Sequence, residues 1–123
     1  MTGKIKIAIP VGDPAGIGPE IALKTALDPN VRAVCEPIIV SDPGVIARHA
    51  KACHLDSSGV TLLSCPQPEA ATMPLGIVSP IAGRASIAFC AAAIKAAQDG
   101  IVDAVVAAPQ RSEEHTSELQ SPY

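Results

Sequence analysis

The chain has 123 residues, of which 48% are hydrophobic, 17% charged and only 2% aromatic, and its formal net charge is −3. Such a chain suits one small globular domain, and it offers neither a basic footprint nor a base-stacking platform for nucleic acid. The sequence shows no apolar run approaching the ~20 residues of a membrane helix, and no signal-peptide pattern follows Met1. We therefore expect no nucleic-acid partner, no membrane partner and a cytoplasmic location.

The first predicted elements are a strand, a loop and a helix. Residues 4–9 alternate isoleucine with Lys6 and Ala8, and a small residue at Ala8 suits a central strand covered on both sides. The loop VGDPAGIGPE occupies residues 11–20, and a helix is predicted over residues 19–27, with Pro19 in its first turn. Asp28 and the proline that follows it predict the end of this helix.

The loop is the candidate active-site segment. A loop that joins the carboxyl end of a strand to a helix N-terminus is where open α/β sheets bind ligands. The candidate residues are Gly12, Asp13, Pro14, Ala15, Gly16 and Gly18. Their spacing matches neither the GxGxxG nucleotide fingerprint nor a Walker A loop. A purely connecting turn remains the alternative. Asp13 either orients a substrate or caps the turn in an Asx motif, and we favour the capping role.

The rest of the chain continues to alternate strands with helices. Strands are predicted over residues 37–41, 60–63 and 102–107, and helices over 44–55 and 84–99, the second closed by Gly100. Residues 64–80 carry four prolines and predict a long crossing loop without a helix, with a brief extended piece at 76–78. The helix over 84–99 is apolar almost all round, which predicts burial between two layers. The alternation predicts a parallel sheet with helices on its faces.

The cysteines and histidines predict no metal site. The cysteines form no CxxC pair, which favours free thiols: Cys35, Cys53, Cys65 and Cys90. His49 and His54 lie five residues apart on a predicted helix, whereas a helical metal pair needs the i, i+4 spacing.

The last thirteen residues differ in composition from the rest. Residues 111–123 (RSEEHTSELQSPY) contain a single aliphatic side chain, Leu119, and suit either a frayed polar end or a short helix capped by Ser112. The string resembles the in-frame translation of a sequencing-adapter oligonucleotide. We therefore expect a native portion over residues 1–110 and a non-native tail over 111–123.

Three segments together resemble the N-terminal third of the 4-hydroxythreonine-4-phosphate dehydrogenase family. They are residues 12–20 (GDPAGIGPE), 82–86 (AGRAS) and 102–109 (VDAVVAAP), and the resemblance covers residues 4–110. It implies part of a two-lobed α/β fold like that of isocitrate and isopropylmalate dehydrogenases, and a homodimer. It also implies NAD or NADP, a divalent metal (Zn, Mg or Co), and a small phosphorylated substrate that is oxidised and then decarboxylated in pyridoxal phosphate biosynthesis.

Few site residues carry over from the family. The resemblance places the loop near the active-site cleft, but the family's metal histidines follow the matched region. No catalytic or metal-binding residue is therefore assigned, the cofactor-binding residues stay unknown, and the chain as written is predicted to be inactive. His115 lies in the foreign-looking tail, and Gln110 is followed there by Arg111. Arg84 either meets an anion near a helix start or is solvated, and we favour the second.

The sequence is compatible with several alternative hypotheses about function. A paralogous dehydrogenase would act on phosphorylated threonate or erythronate, or on a cis-dihydrodiol dicarboxylate. A non-catalytic α/β module would bind an anion at the loop. A gene fragment would have no function of its own, and it would expose a sheet edge and apolar helix faces.

Overall fold

The structure is a computed structural model, and it describes residues 4–108. The tail and Gln110 therefore lie outside the described residues. The elements in chain order are β1 (Ile5–Pro10), α1 (Gly18–Leu27), α2 (Pro29–Val34), β2 (Cys35–Ser41), α3 (Pro43–Ala52), β3 (Thr61–Ser64), α4 (Pro68–Ala71), α5 (Pro80–Gln98) and β4 (Ala104–Val105).

The four strands form one parallel sheet in the order β3-β2-β1-β4. Ala8 of β1 pairs with Ile38 on one side and with Val105 on the other, and it is fully buried. The α/β class, the parallel arrangement and the central position of the first strand are thus confirmed. Because β1 is internal, the loop that follows it emerges in the middle of the carboxyl edge of the sheet.

Three helices, α2, α3 and α5, begin at prolines that follow side-chain caps. The Oδ1 atom of Asp42 accepts from the Gly44 N–H at 2.6 Å and from the Val45 N–H at 3.3 Å, and α3 begins at Pro43. The Ser79 hydroxyl oxygen accepts from the N–H of Ala82 at 3.0 Å, and α5 begins at Pro80. The predicted start of α5 at residue 84 is therefore wrong by one turn, because a proline that ends a loop also fits the first helical position.

Other boundaries also differ from the predictions. The six-residue helix α2 was not predicted, and the one-turn helix α4 lies inside the stretch that was predicted to hold none. Residues 76–78 form no strand, and the last strand pairs over two residues only. Helix α3 ends at Ala52, so His54 lies beyond it, with a φ of 57°. Proline at a first helical turn accounts for both missed helices.

Helix α5 covers the sheet with one side only. Its Phe89 and Ala93 are fully buried in the core, whereas Ile87 and Ile94 are 62% and 52% exposed. The prediction that α5 is buried between two layers is therefore wrong for residues 4–108, which cover only its sheet side. By length and composition α5 also meets the criteria for a membrane span, which the prediction overlooked, although its buried side packs on the sheet as a core helix does.

Candidate functional site

The loop after β1 is held in the sheet at its start. The Val11 N–H donates to the Val40 carbonyl oxygen at 3.3 Å, and the Ala108 N–H donates to the Pro10 carbonyl oxygen at 3.0 Å. The loop therefore leaves the sheet between the ends of its two neighbouring strands. Residues 11–15 are buried, so the backbone conformation of the segment is fixed by its surroundings.

Asp13 organises the turn inside the loop. Its Oδ1 atom accepts from the Ala15 N–H at 2.8 Å, and its carbonyl oxygen accepts from the Gly16 N–H at 3.1 Å. This is an Asx turn, as the capping alternative expects. Asp13 is only 2% exposed, so its carboxylate supports the loop from within. Gly12 has a φ of 74°, a left-handed conformation that favours glycine over residues with a side chain.

Two consecutive carbonyl groups of the loop accept hydrogen bonds from distant segments. The Nε2 atom of His49, on α3, lies 2.7 Å from the Pro14 carbonyl oxygen. The Gly76 N–H, in the proline-rich crossing segment, donates to the Ala15 carbonyl oxygen at 2.7 Å. Sequence reasoning considered His49 only as a metal ligand and missed this contact. The available signal was a lone histidine among the apolar residues of a helix, which usually finds a buried hydrogen-bond partner.

Asp42 occupies the neighbouring position at the end of β2. Besides capping α3 through Oδ1, it accepts from the Gln67 N–H through Oδ2 at 2.6 Å. The carboxylate is therefore occupied by main-chain donors and has a structural role. Burial raises the pKa of the Cys65 thiol, which follows β3 at this edge, and the charge of Asp42 raises that pKa further.

Glu20 links the end of the loop to α3. It forms an exposed ion pair with Lys24 at 2.7 Å, and this pair is the main reason why the pKa of Glu20 is lowered. The neighbouring Cys53 thiol lowers the pKa of Glu20 as well. Burial raises the pKa of Cys53 in turn, and the charge of Glu20 adds to the effect. The loop of residues 11–20 therefore meets the C-terminal end of α3 at two points, at His49 and at Cys53.

The described residues provide no metal site. Within residues 4–108, no group of three or more His, Cys, Asp and Glu side chains is placed to hold a metal ion. His49 faces the Pro14 carbonyl oxygen, and His115 lies outside the described range. The divalent metal that the resemblance implies thus finds no fitting set of ligands among residues 4–108. Arg84 is exposed and lies one turn inside α5, as the solvated alternative expects.

A cavity of about 460 Å³ lies at the opposite, amino edge of the sheet. Lys4 and Arg32 line it, but both side chains donate to main-chain carbonyl oxygens there: Lys4 to Arg32, and Arg32 to Ala26 and Gly59. The two cations thereby fasten α2 to its surroundings. This cavity is separate from the loop after β1.

Comparisons with known proteins find the chain similar to part of several dehydrogenases. A curated D-threonate 4-phosphate dehydrogenase from Symbiobacterium thermophilum is 34% identical over 87% of this chain and 36% of its own length. A crystal structure of a 4-hydroxythreonine-4-phosphate dehydrogenase from Burkholderia phymatum matches with a TM-score of 0.78 and 27% identity, over 89% of this chain and 38% of that one. No protein-family model matches the chain.

A third match carries a different substrate in its name. The structure of a terephthalate 1,2-cis-dihydrodiol dehydrogenase from Burkholderia xenovorans is 35% identical, with a TM-score of 0.72, over 87% of this chain and 34% of that one. Together the matches confirm the resemblance to 4-hydroxythreonine-4-phosphate dehydrogenases and the α/β class. The chain spans little more than a third of the length of the relatives it matches.

Proposed function

We propose that this chain is part of a dehydrogenase that oxidises a small phosphorylated hydroxy acid with NAD or NADP. The observation that carries the proposal is the agreement of sequence and fold with dehydrogenases over nearly nine-tenths of the chain. The oxidation transfers a hydride from the alcohol carbon to the nicotinamide and releases the hydroxyl proton. Where the product is a 3-keto acid, it can then lose CO2, as in the pyridoxal phosphate pathway that the resemblance implies.

The loop of residues 12–18 is the part of the proposed site that this chain supplies. It lies at the carboxyl end of the central strand, where parallel sheets place their ligands, and its conformation is fixed by Asp13, His49 and Gly76. A preorganised loop suits a cleft that must position a substrate accurately. The proposed enzyme is a cytoplasmic homodimer that depends on a divalent metal, and the ligands of that metal would have to lie outside residues 4–108.

The test compares two proteins. The first is the 123-residue chain, and the second is the product of the uninterrupted gene, that is, the protein encoded when the native reading frame continues after Gln110. Both are assayed with 4-phosphohydroxythreonine and with D-threonate 4-phosphate, in the presence of NAD or NADP and a divalent metal. We expect turnover by the gene product and none by the chain. Turnover by the chain would refute its predicted inactivity, and a gene product inactive on every substrate would refute the proposed function. The genomic sequence after the Gln110 codon shows whether the reading frame continues.

A second candidate is oxidation of a cis-dihydrodiol dicarboxylate. The match to the terephthalate dihydrodiol enzyme, at 35% identity, favours it. The same assay with the dihydrodiol of terephthalate separates the candidates, because that substrate carries no phosphate. A non-catalytic anion-binding module is less well supported, since Asp13 places a buried carboxylate inside the loop. Tight binding of inorganic phosphate by the chain would favour that module.

A further inference from the structure

We infer that His49 is a positioning residue for the loop of residues 12–18, acting through a hydrogen bond from its Nε2–H to the Pro14 carbonyl oxygen. The role of the loop in catalysis rests on the proposed function. The contact itself does not, since it joins α3 to the loop in the chain as it stands. The first observation is its geometry: the two atoms are 2.7 Å apart, and His49 is only 5% exposed.

The chemistry of the two partners fixes where the proton lies. A main-chain carbonyl can only accept, and Pro14 has no N–H of its own. The Nε2 atom of His49 must therefore carry the hydrogen, whether the ring is neutral or charged. The imidazole is thus held in one tautomer by the loop, and the loop is held by the imidazole.

Burial of the Pro14 carbonyl oxygen increases the cost of losing this hydrogen bond. Pro14 is fully buried, so its carbonyl oxygen has little access to water if the histidine is removed. A buried acceptor left without a donor costs more than the net value of the bond itself. The next carbonyl, of Ala15, is held by Gly76 from another segment, so loss of His49 frees one of two neighbouring tertiary anchors.

Helix α3 contacts the motif at a second point. The Cys53 thiol, which follows the last residue of α3, lies beside Glu20 and lowers the pKa of that carboxyl group. Helix α3 therefore contacts both the Asx turn of the loop and the start of α1. A shift of His49 would move the turn relative to α1, which is the displacement that a positioning residue prevents.

The experiment compares three variants of the 123-residue chain by amide hydrogen exchange. His49→Leu removes the donor, and His49→Gln keeps an N–H at a similar reach. His54→Gln changes an exposed histidine five residues away and serves as the matched control. We expect His49→Leu to speed exchange of the Ala15 and Gly16 amides by about tenfold, as loss of one hydrogen bond predicts. His49→Gln and His54→Gln should leave it near the wild-type rate.

Two further readouts separate positioning from general destabilisation. Exchange of the Phe89 amide, in the middle of α5, should stay unchanged in His49→Leu. The nitrogen chemical shifts of the His49 ring should show a protonated Nε2 in the wild type. Equal acceleration at Ala15 and Phe89, or His49 signals that show an Nε2 without a proton, would overturn the inference.

Enzyme kinetics provide an independent test of the role of His49. In the uninterrupted gene product, His49→Leu should lower kcat by about tenfold or more with a smaller change in KM, since misplacement of a loop by ~1 Å can cost that much. His49→Gln should restore most of it. If the wild-type gene product turns over none of the substrates, the proposed function fails, while the exchange experiment still decides the role of His49.

Discussion

The main-chain N–H of Gly76 lies 2.7 Å from the carbonyl oxygen of Ala15, so the proline-rich segment crosses directly over the loop that follows the central strand. The residues that flank this contact are apolar and exposed: Leu75 is 42% exposed, Ile77 49% and Val78 51%. The crossing segment thus holds the loop through a hydrogen bond and exposes apolar side chains beside it. A surface of this kind is suited to contact with another part of a larger protein.

Gly76 and Gly100 form a matched pair for testing this contact. Both have a left-handed φ, 81° and 79°, and a Cβ atom at either position would meet open space. Replacement of either glycine by alanine should therefore lower the free energy of unfolding by a similar amount, roughly 1–2 kcal/mol, through backbone strain alone. Urea denaturation measures this value.

The two substitutions should differ in their local effect. Gly76→Ala should also speed hydrogen exchange at Gly16, because it strains the residue that anchors Ala15, whereas Gly100→Ala should leave that amide unchanged. Equal exchange rates at Gly16 in the two variants would contradict the proposed anchoring role of the crossing segment.

Asp13 is expected to act as a buried cap. Asp13→Ala removes the acceptor of the Ala15 N–H and should lower the free energy of unfolding by about 1–3 kcal/mol, as for hydrogen bonds to charged groups. Asp13→Asn keeps an oxygen at Oδ1 and should recover much of the loss. Asp28→Ala, which removes a similar but less buried cap from Asn30, is the control and should cost less. An Asp13→Ala variant as stable as the wild type would contradict the capping role.

The pH dependence of cysteine reactivity follows from the raised pKa of Cys65. Since burial and Asp42 keep the thiol protonated, alkylation of Cys65 by iodoacetamide at pH 8 should be slower than that of an unfolded control peptide. Its rate should rise with a midpoint above the ordinary value of 9.0. The folded chain binds this proton more tightly than the unfolded chain, so stability should fall as the pH rises past 9. Mass spectrometry of labelled peptides measures the rates, and a midpoint below 9 would contradict the assignment.

The exposed side of α5 is expected to make the chain self-associate. Ile87 and Ile94 lie seven residues apart, hence on one face of the helix, and both are more than half exposed. Ile94→Lys should shift the chain towards monomer in sedimentation velocity. Ile101→Lys, at an equally exposed isoleucine beyond the helix, is the control and should have a smaller effect. A wild-type chain that is monomeric and melts sharply would refute the expectation.

The sequence predicted the arrangement of the strands better than the ends of the helices. Alternating strands and helices, with a small residue at Ala8, were sufficient for a parallel sheet with a central first strand. The predicted helix boundaries were wrong where one residue belongs to the ends of two elements. Asp28 ends α1 and caps α2, so a pattern that predicts a stop conceals a start.

The candidate site was predictable only in its local part. The positive φ of Gly12 and the Asx turn of Asp13 follow from residues adjacent in sequence. The contacts of His49 and Gly76 with the loop depend on tertiary packing, which no spacing rule encodes. The role of the candidate loop residues in catalysis stays a prediction.

The pairing of β1 with β4 has a consequence for synthesis of the protein. Lys6 and Asp103 exchange hydrogen bonds at 2.8 Å across 97 residues, so the first strand made is completed by the last one described. At about 5–20 residues per second, a ribosome leaves one side of β1 unpaired for on the order of ten seconds. Throughout that interval the nascent chain offers an open strand edge to chaperones, and to neighbouring chains on the same messenger.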